Sequence, residues 1–298
     1  MTDIPESARP LAELKPQHDF FVGIDSDGCA FDSMEIKHKE CFIPNFIKHF
    51  QLQAVSKYAR ESFEFVNLYS KWRGINRWPA LLKSLDLTRE RREVLQRGVA
   101  VPGLPEVIKF IESGLPTSND GLKTYIQNND HPELRRALQW SLAVNASIEE
   151  LVHGVPPFPY VRESLGKIIA IADAVVVSAT PGEALKREWS ENNISQYVRV
   201  IAGQEMGTKD KILSLAAKGK YAEHRILMLG DAPGDLKAAR SVNALFYPIN
   251  PGHEEDSWRR FLEEGFDRFK TGQYAGAYEN KLIAEFEKLL PEAPPWKR

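Results

Sequence analysis

Four acidic residues stand at spacings that can do chemistry. Asp25-Ser26-Asp27-Gly28 follows one apolar run, and Gly230-Asp231-Ala232-Pro233-Gly234-Asp235 follows another. Carboxylates gathered at one point serve as nucleophiles, as general acids and bases, or as metal ligands. Crowded together without a counter-charge, they repel and some take up protons. A hard divalent cation relieves that crowding, and an all-oxygen donor set with positions left for water and a phosphate suits Mg2+. At average composition both patterns together arise by chance in roughly one chain in several hundred of this length. A lone D-x-D reads equally well as a turn with Asx capping, so the weight lies in the pair.

Two further segments fit this chemistry. In Ser178-Ala179-Thr180-Pro181 a hydroxyl and the amide that follows it can hold a phosphate oxygen. Thr180-Pro181 also suits a helix start, so Ser178 is expected to serve phosphate while Thr180 caps. Gly207-Thr208-Lys209-Asp210-Lys211 opens a helix, where Lys209, or its neighbour Lys211, can reach the carboxylates and a phosphate as a point charge.

The elements that must position these residues are legible. Residues 20–24, 174–177, 225–229 and 244–247 are short apolar runs, with a weaker fifth at 198–202. Helical patterns over 160–172, 182–192 and 236–242 lie between them. Strands alternating with helices predict an α/β fold with a doubly wound parallel sheet. In such sheets ligands bind beyond the carboxyl ends of the strands, which is where Asp25, Ser178 and Asp231 fall. Gly28 permits the tight turn after the first strand.

The stretch 34–154 differs, because its apolar spacing is helical throughout and no strand is convincing. It is expected to form an all-helical domain inserted after the first strand. Asp130-His131-Pro132-Glu133 and Ser147-Ile148-Glu149-Glu150 read as capping boxes, and Pro44 is expected to break or kink its helix. Helices over 258–269 and 277–290 follow the sheet. The resulting division is a first core segment at 1–33, a helical domain at 34–154, and a second core segment with a C-terminal helical extension at 155–298.

Asp25-x-Asp27-Gly28, Ser178, Lys209 and Gly230-Asp231-x-x-x-Asp235 resemble, in order, the four motifs of the haloacid dehalogenase-like (HAD) hydrolase superfamily. The helical insertion and the approach Pro157-Phe158-Pro159-Tyr160 resemble its phosphoglycolate phosphatase-like branch, with Tyr160 where a glycine is usual. The resemblance implies a HAD-like Rossmannoid core with a large helical cap. It also implies a Mg2+-dependent phosphatase that hydrolyses a small phosphorylated metabolite through an aspartyl-phosphate. On that reading Asp25 attacks phosphorus, and Asp27 protonates the leaving oxygen and then activates water. The metal is held by Asp25, the Asp27 carbonyl and Asp231, with Asp235 in support. Lys209, Ser178 and the Ala179 amide neutralise the transferring oxygens. A dehalogenase or phosphonatase of this superfamily normally lacks the second aspartate. A sugar phosphomutase keeps it, and stands as the alternative enzyme beside a catalytically idle binding protein on the same fold.

In the helical insertion, Trp72-Arg73-Gly74-Ile75-Asn76-Arg77-Trp78 concentrates two arginines, an amide and two indoles. Either these residues pack within the cap, or Arg73, Asn76 and Arg77 contact an anionic leaving group.

Composition removes other classes. The 298 residues carry 39 Lys plus Arg against 41 Asp plus Glu, a net charge of −2, so no global basic field attracts nucleic acid or an anionic membrane. The sequence has no nucleophile elbow, P-loop or dinucleotide fingerprint, and none of its seven histidines form a close pair. Two cysteines, Cys29 and Cys41, give no disulfide framework. The longest apolar run is too short to cross a bilayer, and the first twenty residues hold no signal-peptide core. A cytoplasmic, thiol-reduced protein is expected.

Overall fold

The computed structural model describes residues 4–297. The chain divides into two compact units, Met1–Met34 with Gly154–Leu290, and Glu35–His153 with Pro291–Arg298.

The first unit is built on a five-stranded sheet of β1 (Phe20–Ile24), β2 (Ala172–Val177), β3 (Val200–Ala202), β4 (Ile226–Gly230) and β5 (Leu245–Pro248). The order is β3-β2-β1-β4-β5, and every neighbouring pair is parallel. This is the doubly wound α/β sheet the strand–helix alternation predicts. Strand residues alternate between faces. Val22, Ile24, Val176 and Leu229 pack with Leu165, Trp189 and Trp258 on one side. Phe21, Val175, Val177 and Met228 pack with Ile212, Leu213, Ala239 and Phe286 on the other. With Ile24 in register with both Val176 and Leu229, the three central strands end together.

Strand β2 begins two residues before the apolar run that announced it, because it tolerates a buried carboxylate. Asp173 accepts from the amides of Gln17 (2.8 Å) and His18 (3.1 Å) and from the Tyr221 hydroxyl (2.8 Å), and pairs with Arg199. Burial works to raise its pKa, but these donors outweigh it and hold the group below its ordinary value. At the other edge, Glu279 accepts from the Phe246 amide (2.9 Å) and Tyr274 donates to the Phe246 carbonyl (2.7 Å), so β5 presents no open ladder there.

The second unit contains no strand among the described residues. Its helices include Ser56–Leu68, Arg77–Arg89, Asn119–Asn128 and Pro132–Leu151, around Phe46, Phe63, Trp78, Phe110 and Trp140. Trp78 sets its ring edge-on to Trp140 (6.0 Å) and Phe110 (5.9 Å). Among the described residues, no helix of either unit is long and apolar enough to cross a membrane.

Local expectations fail here where tertiary partners intervene. Pro44 does not break its helix. It sits in the first turn of Ile43–His49, and the preceding Lys37–Phe42 widens into a π-turn, which accommodates the missing N–H. Neither capping box forms. His131 caps Pro132–Leu151, while Glu133 instead accepts from the amides of Glu106 (2.7 Å) and Val107 (3.1 Å) at the start of another helix. Ser147 lies inside Pro132–Leu151 and accepts from Asn45. The last residues also depart from the expected core segment at 155–298, which ends at Leu290. Trp296 packs on Phe65 (5.7 Å) and lies under the Arg91 guanidinium (4.2 Å), and Glu292 pairs with Lys71 (2.6 Å). These contacts hold the tail on the helical unit.

Candidate active site

The site grows from the ends of β1 and β4. The Asp25 amide donates to the Leu229 carbonyl (3.0 Å), continuing the ladder and delivering the Asp25 side chain just beyond the sheet. The chain then turns sharply. The Ser26 carbonyl accepts from the amides of Cys29 (3.3 Å), Ala30 (2.9 Å) and Phe31 (3.0 Å), and Gly28 adopts φ 74°, a region open to glycine at no steric cost. At the end of β4, Asp231 is buried, and Asp235 lies in the first turn of the helix Pro233–Ser241. Gly230 makes room for it: a Cβ there would lie 2.4 Å from the Asp235 side chain.

Asp25, Asp231 and Asp235 are all buried, and each offers an oxygen within 4.8 Å of the other two. Lys209 lies across two of them, with Nζ 2.6 Å from Asp25 Oδ2 and 2.6 Å from Asp235 Oδ1. It begins the helix Lys209–Ala216, whose Ile212, Leu213 and Ala216 are buried, so the core-facing side of that helix also carries Lys209. Lys211 is exposed. The lysine choice left open by sequence falls on Lys209.

Burial dominates the electrostatics. It pushes the Asp25 carboxyl up to about 6; Lys209 pulls the other way and Asp235 adds to the rise. Asp235 is likewise raised by burial against the pull of Lys209. Burial disfavours the charged form of Lys209, yet Asp235 and Asp25 more than compensate and hold the ammonium protonated. Three carboxylates against one ammonium leave an excess of negative charge among oxygen donors. That donor set fits Mg2+, with Asp25, Asp231 and Asp235 as the side chains that would hold it.

The Asp27 side chain is not part of this trio. Its Oδ2 accepts from Thr180 Oγ1 (2.6 Å) and its other oxygen from the Ser33 hydroxyl. Thr180 therefore does not cap its helix as expected. The cap position of Gly182–Glu191 is Pro181, with no side-chain cap bond, because the Thr180 hydroxyl donates to the Asp27 carboxyl group on the β1 loop. Ser178 is buried at the end of β2; its amide donates to Ala202 (3.0 Å) and its Oγ accepts from the Thr180 amide (3.2 Å). Ala179 is exposed on the same loop.

The candidate residues of the helical unit have partners within that unit. Asn76 caps Arg77–Arg89 by accepting from Trp78 N (3.0 Å) and donates to the Thr117 carbonyl (2.9 Å). Arg73 is buried and donates to the Leu68 carbonyl (2.9 Å). Arg77 donates to Ser141 Oγ (2.7 Å) and Asn145 Oδ1 (2.8 Å) and lies over Phe42, with burial lowering it to about 10. These contacts favour the packing reading of the segment.

Sequence reasoning missed Ser26, Ser33, Glu188 and Trp189 around the β1 loop. Ser26 Oγ donates to Glu188 Oε2 (3.1 Å) and accepts from Trp189 Nε1 (2.9 Å). The one available signal was the polar residue lodged between two aspartates at the end of an apolar strand.

No family model matches the chain, and no curated protein does. Among solved structures it is similar to a haloacid dehalogenase-like family hydrolase from Streptococcus pneumoniae, at 11% identity and TM-score 0.47, over 80% of this chain and 90% of that one. It is also similar to a HAD-superfamily hydrolase, subfamily IA, from Geobacter sulfurreducens, at 12% and 0.41 over 79% and 90%. A haloacid dehalogenase-like family hydrolase from Xanthomonas campestris aligns at 12% and 0.40 over 86% and 97%. Each of these scores is below 0.5, so the chemistry rests on the site's own residues.

Proposed function

We propose that this chain is a HAD-like, Mg2+-dependent phosphatase that hydrolyses a small phosphorylated metabolite through a phosphorylated Asp25. The observation that carries the reading is the trio Asp25, Asp231 and Asp235 at the strand ends, spanned by Lys209, with Asp27 on the same loop but outside the trio.

The geometry supports the following roles. Asp25 Oδ1 accepts from the Ser26 amide (2.7 Å) and Oδ2 from Lys209, which orients the carboxylate and neutralises it in part. It attacks phosphorus, and the bond to the leaving oxygen breaks as the acyl phosphate forms. Asp27 gives a proton to that oxygen and later takes one from the water that attacks the acyl phosphate. The Thr180 and Ser33 hydroxyls fix the orientation of its carboxyl group. Lys209 supplies positive charge, and the Ser178 hydroxyl and the Ala179 amide supply hydrogen-bond donors, to the transferring oxygens; such transfers depend chiefly on positioning and charge stabilisation. When bound, Mg2+ supplies further charge neutralisation at the phosphoryl oxygens and offsets the repulsion within the trio.

Release of inorganic phosphate from p-nitrophenyl phosphate tests the reading directly. Activity should require Mg2+, vanish in EDTA and return on re-addition of the metal. A chelated sample at full activity would exclude the metal's role. A sugar 1-phosphate isomerised without phosphate release would favour a mutase instead.

Asp27→Ala should separate acid–base help from nucleophilic attack. Turnover is expected to fall by about 10²–10⁴-fold on alkyl phosphates, the usual worth of a positioned acid–base group. The deficit should shrink on aryl phosphates, whose leaving groups need little protonation. A uniform deficit across leaving groups would assign Asp27 to holding the loop instead.

A further inference from the structure

We infer that Ser26 is a positioning residue for this reaction: its hydroxyl, gripped by Trp189 and Glu188 of the helix Gly182–Glu191, fixes the angle at which the β1 loop presents Asp25 and Asp27. The inference rests on the phosphatase reading of the site.

Ser26 stands between Asp25 and Asp27 at the start of the turn that follows β1, and its hydroxyl is held by Glu188 and Trp189. Ser26 is fully buried. Its peptide groups already serve both carboxylates. The amide donates to Asp25 Oδ1 (2.7 Å), and the carbonyl accepts from the amides of Cys29, Ala30 and Phe31, closing the loop on which Asp27 sits. A rotation at this one residue therefore displaces the nucleophile's orienting donor and the acid–base loop together.

The side chain resists that rotation. A hydroxyl has one hydrogen to give and lone pairs to accept with, and Ser26 uses both capacities, toward Glu188 Oε2 (3.1 Å) and from Trp189 Nε1 (2.9 Å). Trp189 also braces the far end of the same turn, its ring edge-on to Phe31 at 5.8 Å. The loop that leads into this helix contributes Thr180 to Asp27. One helix and its leading loop thus meet the turn at Ser26, Asp27 and Phe31. Neither Glu188 nor Trp189 belongs to the carboxylate trio, which makes their action on it indirect.

The test compares Ser26→Ala, Trp189→Phe and the double variant in the full chain. Trp189→Phe keeps an aromatic ring at this position while removing the N–H together with the five-membered ring of the indole. Each single variant should lower kcat on p-nitrophenyl phosphate by about 10- to 100-fold, the scale of an ångström-sized misplacement, with KM changed less than twofold. The double variant should be no slower than the slower single one, since both delete the same bond. Weakened Mg2+ binding, by at least fivefold in a calorimetric titration of Ser26→Ala, should accompany this, because Asp25 loses its fixed direction. A merely structural role would lower the melting temperature and leave kcat of the folded protein unchanged; that result overturns the proposal. A wild-type chain that releases phosphate from no monoester refutes the phosphatase reading instead. In that case the Mg2+ titration decides the positioning role: unchanged affinity in Ser26→Ala overturns it, and the fivefold loss upholds it.

Discussion

Asp25→Asn is expected to abolish turnover and keep the fold. The amide has the carboxylate's size and retains an oxygen that can accept from the Ser26 amide, now at 2.7 Å from Asp25 Oδ1. It lacks the negative charge that makes the carboxylate oxygen a nucleophile toward phosphorus, so no acyl phosphate accumulates. Loss of the nucleophile in a covalent hydrolase typically costs more than any supporting residue, and a fall in kcat of about 10⁴-fold or more is expected here. Stability should move little or improve in the metal-free protein. Burial and Asp235 both oppose ionisation of Asp25, and the neutral amide removes that like-charge crowding while Lys209 keeps Asp235 as partner. Three measurements check this: kcat on p-nitrophenyl phosphate, the melting temperature in EDTA, and acid-quenched labelling with a 32P-monoester. Wild type should retain label on the protein and the variant none. Activity within a hundredfold of wild type, in a variant that melts normally, sinks the nucleophile assignment.

The second large effect is expected at Lys209→Met, which keeps the length of the stem and removes the charge. Lys209 is the cation between two carboxylates that are themselves buried. Breaking a buried ion pair by deleting one partner commonly costs about 3–5 kcal/mol, because the other charge is left uncompensated. Here two are left, beside Asp231. The metal-free variant should therefore melt well below wild type, and Asp25 and Asp235 should both hold protons more tightly. Mg2+ should recover part of the loss by supplying the missing charge, so the gain in melting temperature on adding metal should exceed that of wild type. Activity should fall about 10²–10³-fold even with Mg2+, as expected for removing a group aimed at developing oxyanion charge. Calorimetry in EDTA and in Mg2+, with kcat on p-nitrophenyl phosphate, reads the loss of stability, its recovery by metal and the fall in activity. Wild-type melting in EDTA together with activity within tenfold would overturn the role given to Lys209.

The sheet and the place of its acidic residues were legible along the chain, because both are local. An apolar run of four or five residues ended by Gly and Asp has few options other than a buried strand followed by a turn, and Asp25 and Asp231 come with it. The sequence left Lys209 and Lys211 both open, and the structure chooses Lys209, which lies three and four residues before the buried Ile212 and Leu213 and shares their face. Which polar groups meet depends on the packing of distant segments. Thr180 reads as a helix cap until Asp27, 153 residues away in sequence, offers its hydroxyl a carboxyl oxygen as acceptor. Ser26 and Trp189 are 163 residues apart, and no periodicity links them. Glu133 serves the amides of another helix instead of its own, and Trp296 draws the tail out of the core segment onto Phe65 and Arg91. Hydrophobic spacing reports which side of an element is buried. A hydrogen bond between distant segments depends on how far each is shifted and turned when those buried sides pack, and that is fixed by the assembled core.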